Sequence, residues 1–274
     1  MSATDEAVED TAPKSQTTPQ SGGLAAVLAR PGFRMLWVGQ IFSQLADKFY
    51  IVLMVFLIAQ YWAGDDPRPD PLLAEAAAAM RMGVENRAQL ITLMATGIYV
   101  ANTIPAILLG TVAGVWADRW PKRSVMVASN ALRAALLLLA PLCLLKGPVW
   151  LGLSWGYWAL VQMTYLESVL TQFFAPAEQA ALPLLVPSGQ LLAANSVYQA
   201  TSMAATIVGF ALGDPILRLL RSGLAAIGVP NGEFLLLPLC YGLAAFAILG
   251  IQLREPPRQA RQVSIWEEIG EGLE

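Results

Sequence analysis

Residues 114–123 read GVWADRWPKR and connect two runs of residues that are too apolar to remain in water. Basic residues are enriched in the short cytoplasmic loops of membrane proteins. The stretch therefore predicts a tight cytoplasmic turn between two antiparallel membrane-spanning helices. Its charged residues are Asp118, Arg119, Lys122 and Arg123.

The composition of the chain is that of a membrane protein. Its 274 residues are 56% hydrophobic and 14% charged, whereas soluble domains carry about 25% charged residues. The 17 basic and 20 acidic residues nearly balance, and a net charge of −3 gives no indication of a nucleic-acid partner.

The residue types that most enzymes and metal sites need are missing or poorly spaced. Histidine is absent, which excludes histidine-based acid–base catalysis and a Ser-His-Asp triad. The sequence contains no GxxxxGK phosphate loop and no carboxylate pair at metal-ligand spacing. Cys143 and Cys240 lie in separate apolar runs and are predicted to be small buried hydrophobic residues. We therefore expect no enzyme activity, no metal site and no cofactor.

Six apolar stretches are long enough to cross a hydrocarbon core of about 30 Å as helices. They predict an all-α membrane protein with a six-helix transmembrane bundle over residues 24–253. Residues 1–23 are predicted to be a disordered cytoplasmic tail, and residues 254–274 a cytoplasmic segment. The prolines between residues 176 and 187 are expected to interrupt the apolar run. The predicted spans lie near 33–62, 89–116, 124–146, 149–173, 190–215 and 234–253.

The positions of Lys and Arg predict the orientation of the bundle. With six spans, the basic residues before the first span, in the 114–123 turn and after the sixth span all lie on one face. Arg218 and Arg221 lie on the opposite face and are a mild exception. The majority predicts that both termini are cytoplasmic.

Three predicted spans carry charge within the membrane, where a charged side chain costs about 2.5–3.5 kcal/mol on insertion scales. Asp47 lies in the middle of the first span, Arg133 in the third and Glu167 in the fourth. Asp47 is either a protonatable carboxylate that couples proton entry to substrate exit through Arg133, or part of a static pair with Lys48 or Arg133. Glu167 either contacts substrate or pairs with a polar neighbour.

Uncharged polar side chains within spans usually face the bundle interior. Gln40, Gln44 and Asp47 share one helix face at spacings of i, i+4 and i+7, and this face is predicted to be the translocation wall. Gly209 and Gly213 are spaced for close helix packing or for hinge bending, and packing is the favoured interpretation. The candidate cavity residues are Gln40, Gln44, Asn102, Gln162 and Tyr165.

Two stretches of the chain resemble a known family. The 114–123 turn resembles the G-x-x-x-D-R-x-G-R/K-R/K signature between the second and third helices of the major facilitator superfamily, with Pro121 in place of the second glycine. Residues 173–196, FFAPAEQAALPLLVPSGQLLAANS, resemble a segment of the branch that contains enterobactin exporters, macrolide efflux proteins and lysophospholipid transporters. The residues that match the turn signature are Gly114, Asp118, Arg119, Lys122 and Arg123.

The resemblance implies the N-terminal six-helix half of a twelve-helix transporter in a bacterial-type plasma (inner) membrane. In that family the loop latches the two halves together on the cytoplasmic side. The resemblance makes Asp118 the latch acid, Arg119 and Arg123 its charge partners, and Gly114 the point of close approach. Residues 254–274 resemble the linker before a seventh helix, so we expect a second six-helix half in cis or in trans. The alternative is a self-sufficient six-helix half that works as a homodimer.

The function implied by the resemblance is secondary active efflux. The transporter would work by alternating access, use a proton gradient and export an amphipathic small molecule across the lipid bilayer. The alternative, from a different class, is a membrane assembly or regulatory component that retains the half-fold without transporting.

Overall fold

A computed structural model describes residues 23–62, 87–145, 147–150, 153–253 and 255. The predicted cytoplasmic tail and the predicted linker lie outside these residues, apart from Gly23 and Glu255.

The described chain is almost entirely helical. Two strands of two residues, β1 (Val149–Trp150) and β2 (Leu153–Ser154), pair as a short antiparallel hairpin. Helix α2 continues into a π-helical segment, Ile58–Trp62, and α4 is followed by a 3₁₀ segment, Ala140–Leu144. The helices are α1 (Leu24–Leu28), α2 (Pro31–Leu57), α3 (Arg87–Arg119), α4 (Lys122–Leu138), α5 (Trp155–Leu185), α6 (Leu191–Ala226) and α7 (Leu236–Leu249).

Five segments are long and apolar enough to cross a membrane, which confirms the predicted fold class of an all-α membrane protein. Helix α5 does not meet the same criterion although it has 31 residues, because Glu167, Glu178 and several glutamines lower its hydropathy. The five segments, counted among the described residues, are Pro31–Trp62, Ala88–Gly110, Lys122–Leu144, Ser188–Ala226 and Gly232–Leu249.

The structure differs from the predicted spans mainly around proline. Helix α5 begins at Trp155 instead of near residue 149 and continues through Pro176 and Pro183 to Leu185. Helix α6 likewise continues past Pro215. Proline removes one backbone donor, but neighbouring helices and polar side chains satisfy the freed groups in a membrane bundle, so the helix persists.

The helices pack as two related sets of three. Helix α2 packs against α6 and α7, α4 packs against α5 and α7, and α3 packs against α5. If α2 is exchanged with α5, α3 with α6 and α4 with α7, the same pattern of contacts results. Successive spans run in opposite directions, so the two sets form an inverted repeat of the kind found in secondary transporters.

A polar layer divides the buried core into two apolar clusters. The cluster nearer the 119–122 turn includes Phe33, Leu36, Met126, Phe174, Ala177, Leu182 and Ile248. The cluster nearer the other end includes Phe49, Leu53, Leu57, Leu137, Leu160, Met163 and Leu237. Along α2, α4 and α5 the buried residues between these clusters are Gln40, Ser43, Ser129, Asn130, Arg133, Glu167 and Ser168.

The contact between α2 and α6 depends on glycine. A Cβ atom at Gly209 would overlap with Lys48 Cβ, and one at Gly213 would lie 3.0 Å from Val52 Cγ1. The two glycines are one helical turn apart, so α2 lies in a shallow groove on α6. This confirms that Gly209 and Gly213 serve close helix packing.

Replacing Gly209 by alanine is expected to lower the melting temperature of the protein. The added methyl group forces α2 and α6 apart, and overpacking of this kind costs about 1–3 kcal/mol. Gly223→Ala on the same helix is the matched control, because no heavy atom of the described residues lies within 4 Å of that Cβ position. Thermal unfolding in detergent checks the prediction. Equal melting temperatures for the two variants would contradict the close approach of α2 and α6.

Candidate functional site

The polar layer is centred on the side chain of Arg133, which is completely buried. Helix α4 places its guanidinium between two other helices. Arg133 Nη1 lies 3.6 Å from Asp47 Oδ1 on α2, and Arg133 Nε lies 3.7 Å from Glu167 Oε1 on α5. The structure thus brings together the three membrane-embedded charges that the sequence singled out.

Tyr241 adds a fourth helix, α7, to this cluster. Its hydroxyl lies 2.6 Å from Asp47 Oδ1 and 3.0 Å from Glu167 Oε1. A phenol has one hydrogen to donate, so it can serve only one of the two carboxylates at a time. The Arg133 guanidinium carbon also lies 5.4 Å from the centroid of the Tyr241 ring and 5.1 Å from that of Phe174, within the range of cation–π contacts.

The cluster holds one carboxyl group more than its single guanidinium can neutralise. Asp47 has a side chain that is 27% exposed, whereas that of Glu167 is 6% exposed. A buried charge is stable only when it is paired and hydrogen-bonded. The cluster therefore carries one carboxyl group in excess, and Asp47 is the more exposed of its two carboxyl groups.

A second polar group lies between α2, α5 and α6. Tyr198 donates its hydroxyl hydrogen to Glu178 Oε2 over 2.9 Å, and Gln40 Nε2 donates to the Tyr198 carbonyl over 3.2 Å. Glu178 is buried, and its Oε1 has no hydrogen-bond partner among the described residues. One turn farther along α2, Ser202 Oγ donates to Gln44 Oε1 over 3.4 Å.

The predicted cavity residues occupy different environments. Gln40 and Gln44 contact α6, whereas Asn102 lines a small apolar cavity between α2, α3 and α5. Gln162 is exposed and Tyr165 is half-buried on α5, and neither lines that cavity. The other residues of the cavity wall are Tyr50, Ile51, Met54, Val55, Ile58, Ala95, Ile98, Tyr99 and Thr164.

The 114–123 turn is fastened to the end of α7. The backbone amide of Lys122, at the start of α4, donates to Glu255 Oε1 over 2.8 Å. Arg123 Nη2 donates to the carbonyl of Leu249, and Lys122 Nζ donates to the carbonyl of Ala117 over 3.1 Å. A carboxylate at a helix N-terminus satisfies a free amide and interacts favourably with the helix dipole.

The structure describes some of the predicted latch residues in full and others only in part. A Cβ at Gly114 would meet no heavy atom of the described residues within 4 Å, so that face of α3 is open to a close neighbour. The side chain of Asp118 lies outside the described residues, although α3 includes its backbone. Arg119 closes the last turn of α3. The turn itself contains Pro121, which precedes α4.

Comparison with known proteins shows the family to which the chain belongs. The sequence profile of the Major Facilitator Superfamily matches residues 36–271 of the chain. The chain belongs to the major facilitator superfamily. It is therefore a multi-pass membrane protein of a transporter family that is generally non-enzymatic.

The curated relatives cover less of the chain. It is 32% identical over 113 residues to uncharacterized MFS-type transporters of Mycobacterium bovis and Mycobacterium tuberculosis. The aligned segment is 41% of this chain and spans 24% of the length of each relative. No solved structure matches the chain.

Sequence reasoning for this superfamily member missed Tyr241, Glu178 and Glu255. Tyr241 lies in an apolar run, where a tyrosine is typical of ordinary packing. Glu178 lies in a segment that was expected to be broken by prolines, so its position inside a buried helix was not expected. Glu255 lies beyond the end of α7 at Leu249, and only the fold shows that the 114–123 turn lies beside it.

Arg133→Met is expected to destabilise the protein strongly. Removing one partner from a buried ion pair typically costs about 3–5 kcal/mol, because the remaining carboxylates are left without compensation. The double variant Arg133→Met with Glu167→Gln is expected to recover part of this loss. Thermal unfolding in detergent measures both effects.

Arg218→Met is the matched control for this experiment. Arg218 pairs with Asp214 at 2.8 Å on α6, but the two side chains are 60% and 48% exposed, so water screens the pair. A loss of stability as large for Arg218→Met as for Arg133→Met would show that the buried cluster has no special role in the fold.

Proposed function

We propose that the protein is a secondary active transporter of the efflux type that works by alternating access and is driven by protons. The chain forms the transporter together with a second six-helix half, which is supplied in cis or in trans. The complete transporter exports an amphipathic small molecule. The membrane is a bacterial-type plasma (inner) membrane, and both termini are cytoplasmic. Family membership supports transport. Proton coupling is inferred from the site, the orientation from the basic residues, and the remaining features from the resemblance.

The observation that carries the proposal is the cluster of Asp47, Arg133, Glu167 and Tyr241. Ionisable residues in the membrane are costly and are commonly retained for proton or ion pathways. Here two carboxyl groups from different helices share one guanidinium and one phenol hydrogen. Loading a proton on Asp47 removes its attraction to Arg133 and leaves the guanidinium to Glu167 alone.

This change is suited to drive a conformational step. The pairs Asp47–Arg133 and Arg133–Glu167 link α2, α4 and α5, and the Tyr241 hydrogen bond links α7. Protonation therefore alters contacts on all four helices at the centre of the bundle. A ligand shifts a conformational equilibrium only by binding the two states differently, and a proton on Asp47 fulfils this condition.

The 114–123 turn supplies the cytoplasmic latch in this proposal. Asp118 is the latch acid, Arg119 and Arg123 are its charge partners, Lys122 adds positive charge, and Gly114 admits a closely packed helix of the second half. The open space at Gly114 supports this role for α3. The basic residues of the turn support its cytoplasmic location.

The substrate class follows from the branch that residues 173–196 resemble and from the cavity between α2, α3 and α5. The cavity wall is predominantly aliphatic and aromatic, with Asn102 and Thr164 as polar groups. Such a surface fits the apolar part of an amphiphile. In this proposal Gln40 and Gln44, which contact α6, and Gln162 and Tyr165 on α5 line other parts of the translocation pathway.

Asp47→Asn is expected to abolish transport driven by a pH gradient and to spare exchange of substrate at equal pH. The test uses inverted membrane vesicles, an imposed pH gradient and fluorescent amphiphiles with anionic, cationic or neutral head groups. The chain is expressed alone and extended by its natural downstream coding sequence. Asp214→Asn, which changes an exposed carboxyl group of α6, is the matched control.

The results of this test distinguish proton-coupled efflux, transport that is not coupled through Asp47, and a component that does not transport. Gradient-driven uptake that is lost in Asp47→Asn and kept in Asp214→Asn supports proton-coupled efflux. Full gradient-driven uptake in Asp47→Asn would refute coupling through this carboxyl group. If no form of the chain transports any of the amphiphiles, the proposal of an exporter fails, and the non-transporting component takes its place.

A further inference from the structure

Lys48 is a charged residue that does not belong to the cluster of Asp47, Arg133, Glu167 and Tyr241. It lies on α2 near the middle of the Pro31–Trp62 span and is half-buried. Within the ranges that the structure describes, no carboxylate lies within ion-pairing distance of its ammonium group, and no hydrogen bond involves it. An uncompensated charge at this depth is costly and indicates a functional role.

The neighbouring Asp47 does not serve as its partner. Consecutive residues on a helix point about 100° apart and do not face each other. The Asp47 carboxylate faces Arg133 and receives the Tyr241 hydrogen bond. The Asp47 carboxylate is thus directed into the polar layer, whereas Lys48 lies on the adjacent face of α2.

Close helix packing fixes the position of the first side-chain atoms of Lys48. Its Cβ lies against Gly209 of α6, and the absence of a side chain at Gly209 is what permits this contact. Gln44, one turn before Lys48, is already hydrogen-bonded to Ser202. The base of the side chain is therefore held at the α2–α6 contact, while its ammonium group has no polar partner among the described residues.

An apolar surface begins one turn beyond Lys48. Ile51, Val55 and Ile58 lie at successive turns of α2 and line the cavity between α2, α3 and α5. They extend over about 10 Å of helix. Along α2 the cation of Lys48 thus precedes an apolar row of side chains, and this order matches a molecule with an acidic head group and an apolar tail.

We propose that Lys48 binds the anionic head group of the transported amphiphile, whose tail lies along Ile51, Val55 and Ile58. This inference rests on the proposed transport function and narrows its substrate to amphiphiles with a phosphate, sulfate or carboxylate head. The shared chemistry is an anionic head group, which can belong to a soluble amphiphile or to a lipid of the bilayer.

The test measures binding directly and does not depend on transport. The full chain is placed in nanodiscs of phosphatidylcholine and titrated by calorimetry with octyl phosphate, octyltrimethylammonium or octyl glucoside. The variants are Lys48→Gln and Lys48→Arg. The matched control is Arg34→Gln, which removes an exposed cation near the start of the same helix.

The native chain is expected to prefer octyl phosphate to the other two probes. Lys48→Gln should weaken octyl phosphate binding about tenfold or more, as expected for a lost hydrogen bond between charged groups. Lys48→Arg should restore most of the affinity, and Arg34→Gln should not change it. Equal affinity for the three probes, no octyl phosphate binding, or unchanged binding in Lys48→Gln would overturn the inference.

A second arm separates the two sources of the head group. Phosphatidylglycerol is added to the nanodiscs, and octyl phosphate binding is measured again. Competition that requires Lys48 identifies a bilayer lipid as an occupant, whereas unchanged affinity identifies a soluble amphiphile. Head-group selectivity in a chain that fails every vesicle assay would refute transport and leave the Lys48 site standing. Transport without head-group selectivity would refute the Lys48 site and leave the proposed transport function standing.

Discussion

The buried guanidinium of Arg133 is the charge on which the arrangement of the bundle depends. A cation with no solvent exposure needs compensation, and Asp47 and Glu167 provide it from two other helices. This requirement fixes the depth at which α2, α4 and α5 meet. The apolar clusters on either side of the layer then follow, because each helix is free to bury hydrophobic residues away from the charged level.

The inverted repeat explains why the charge lies where it does. When the two three-helix sets are exchanged, α4 and α7 are the equivalent helices with the most extensive mutual contact, so the repeat axis passes between them. Arg133 lies on α4 and Tyr241 on α7, with the guanidinium over the phenol ring. The centre of the site therefore coincides with the centre of the fold, where the two three-helix sets meet.

The sequence was sufficient for the fold class and for three members of the cluster, because charge within an apolar run has few explanations. The membrane-embedded Asp47, Arg133 and Glu167 could be recognised without coordinates. The course of α5 could not be predicted, since local rules end a helix at proline while packing in the bundle carries it through Pro176 and Pro183. Tyr241 and Glu255 could not be found either, because their roles arise from contacts between residues far apart in the chain.

The shared hydrogen of Tyr241 has a consequence for how the layer distinguishes its two acids. Asp47 and Glu167 both lie within hydrogen-bonding distance of the same phenol oxygen, but the O–H bond points at one of them. The orientation of a single bond therefore marks which acid carries the greater share of negative charge. The two carboxyl groups thus compete for one hydrogen, and rotation of the Tyr241 hydroxyl moves that hydrogen bond from α2 to α5 without moving a helix.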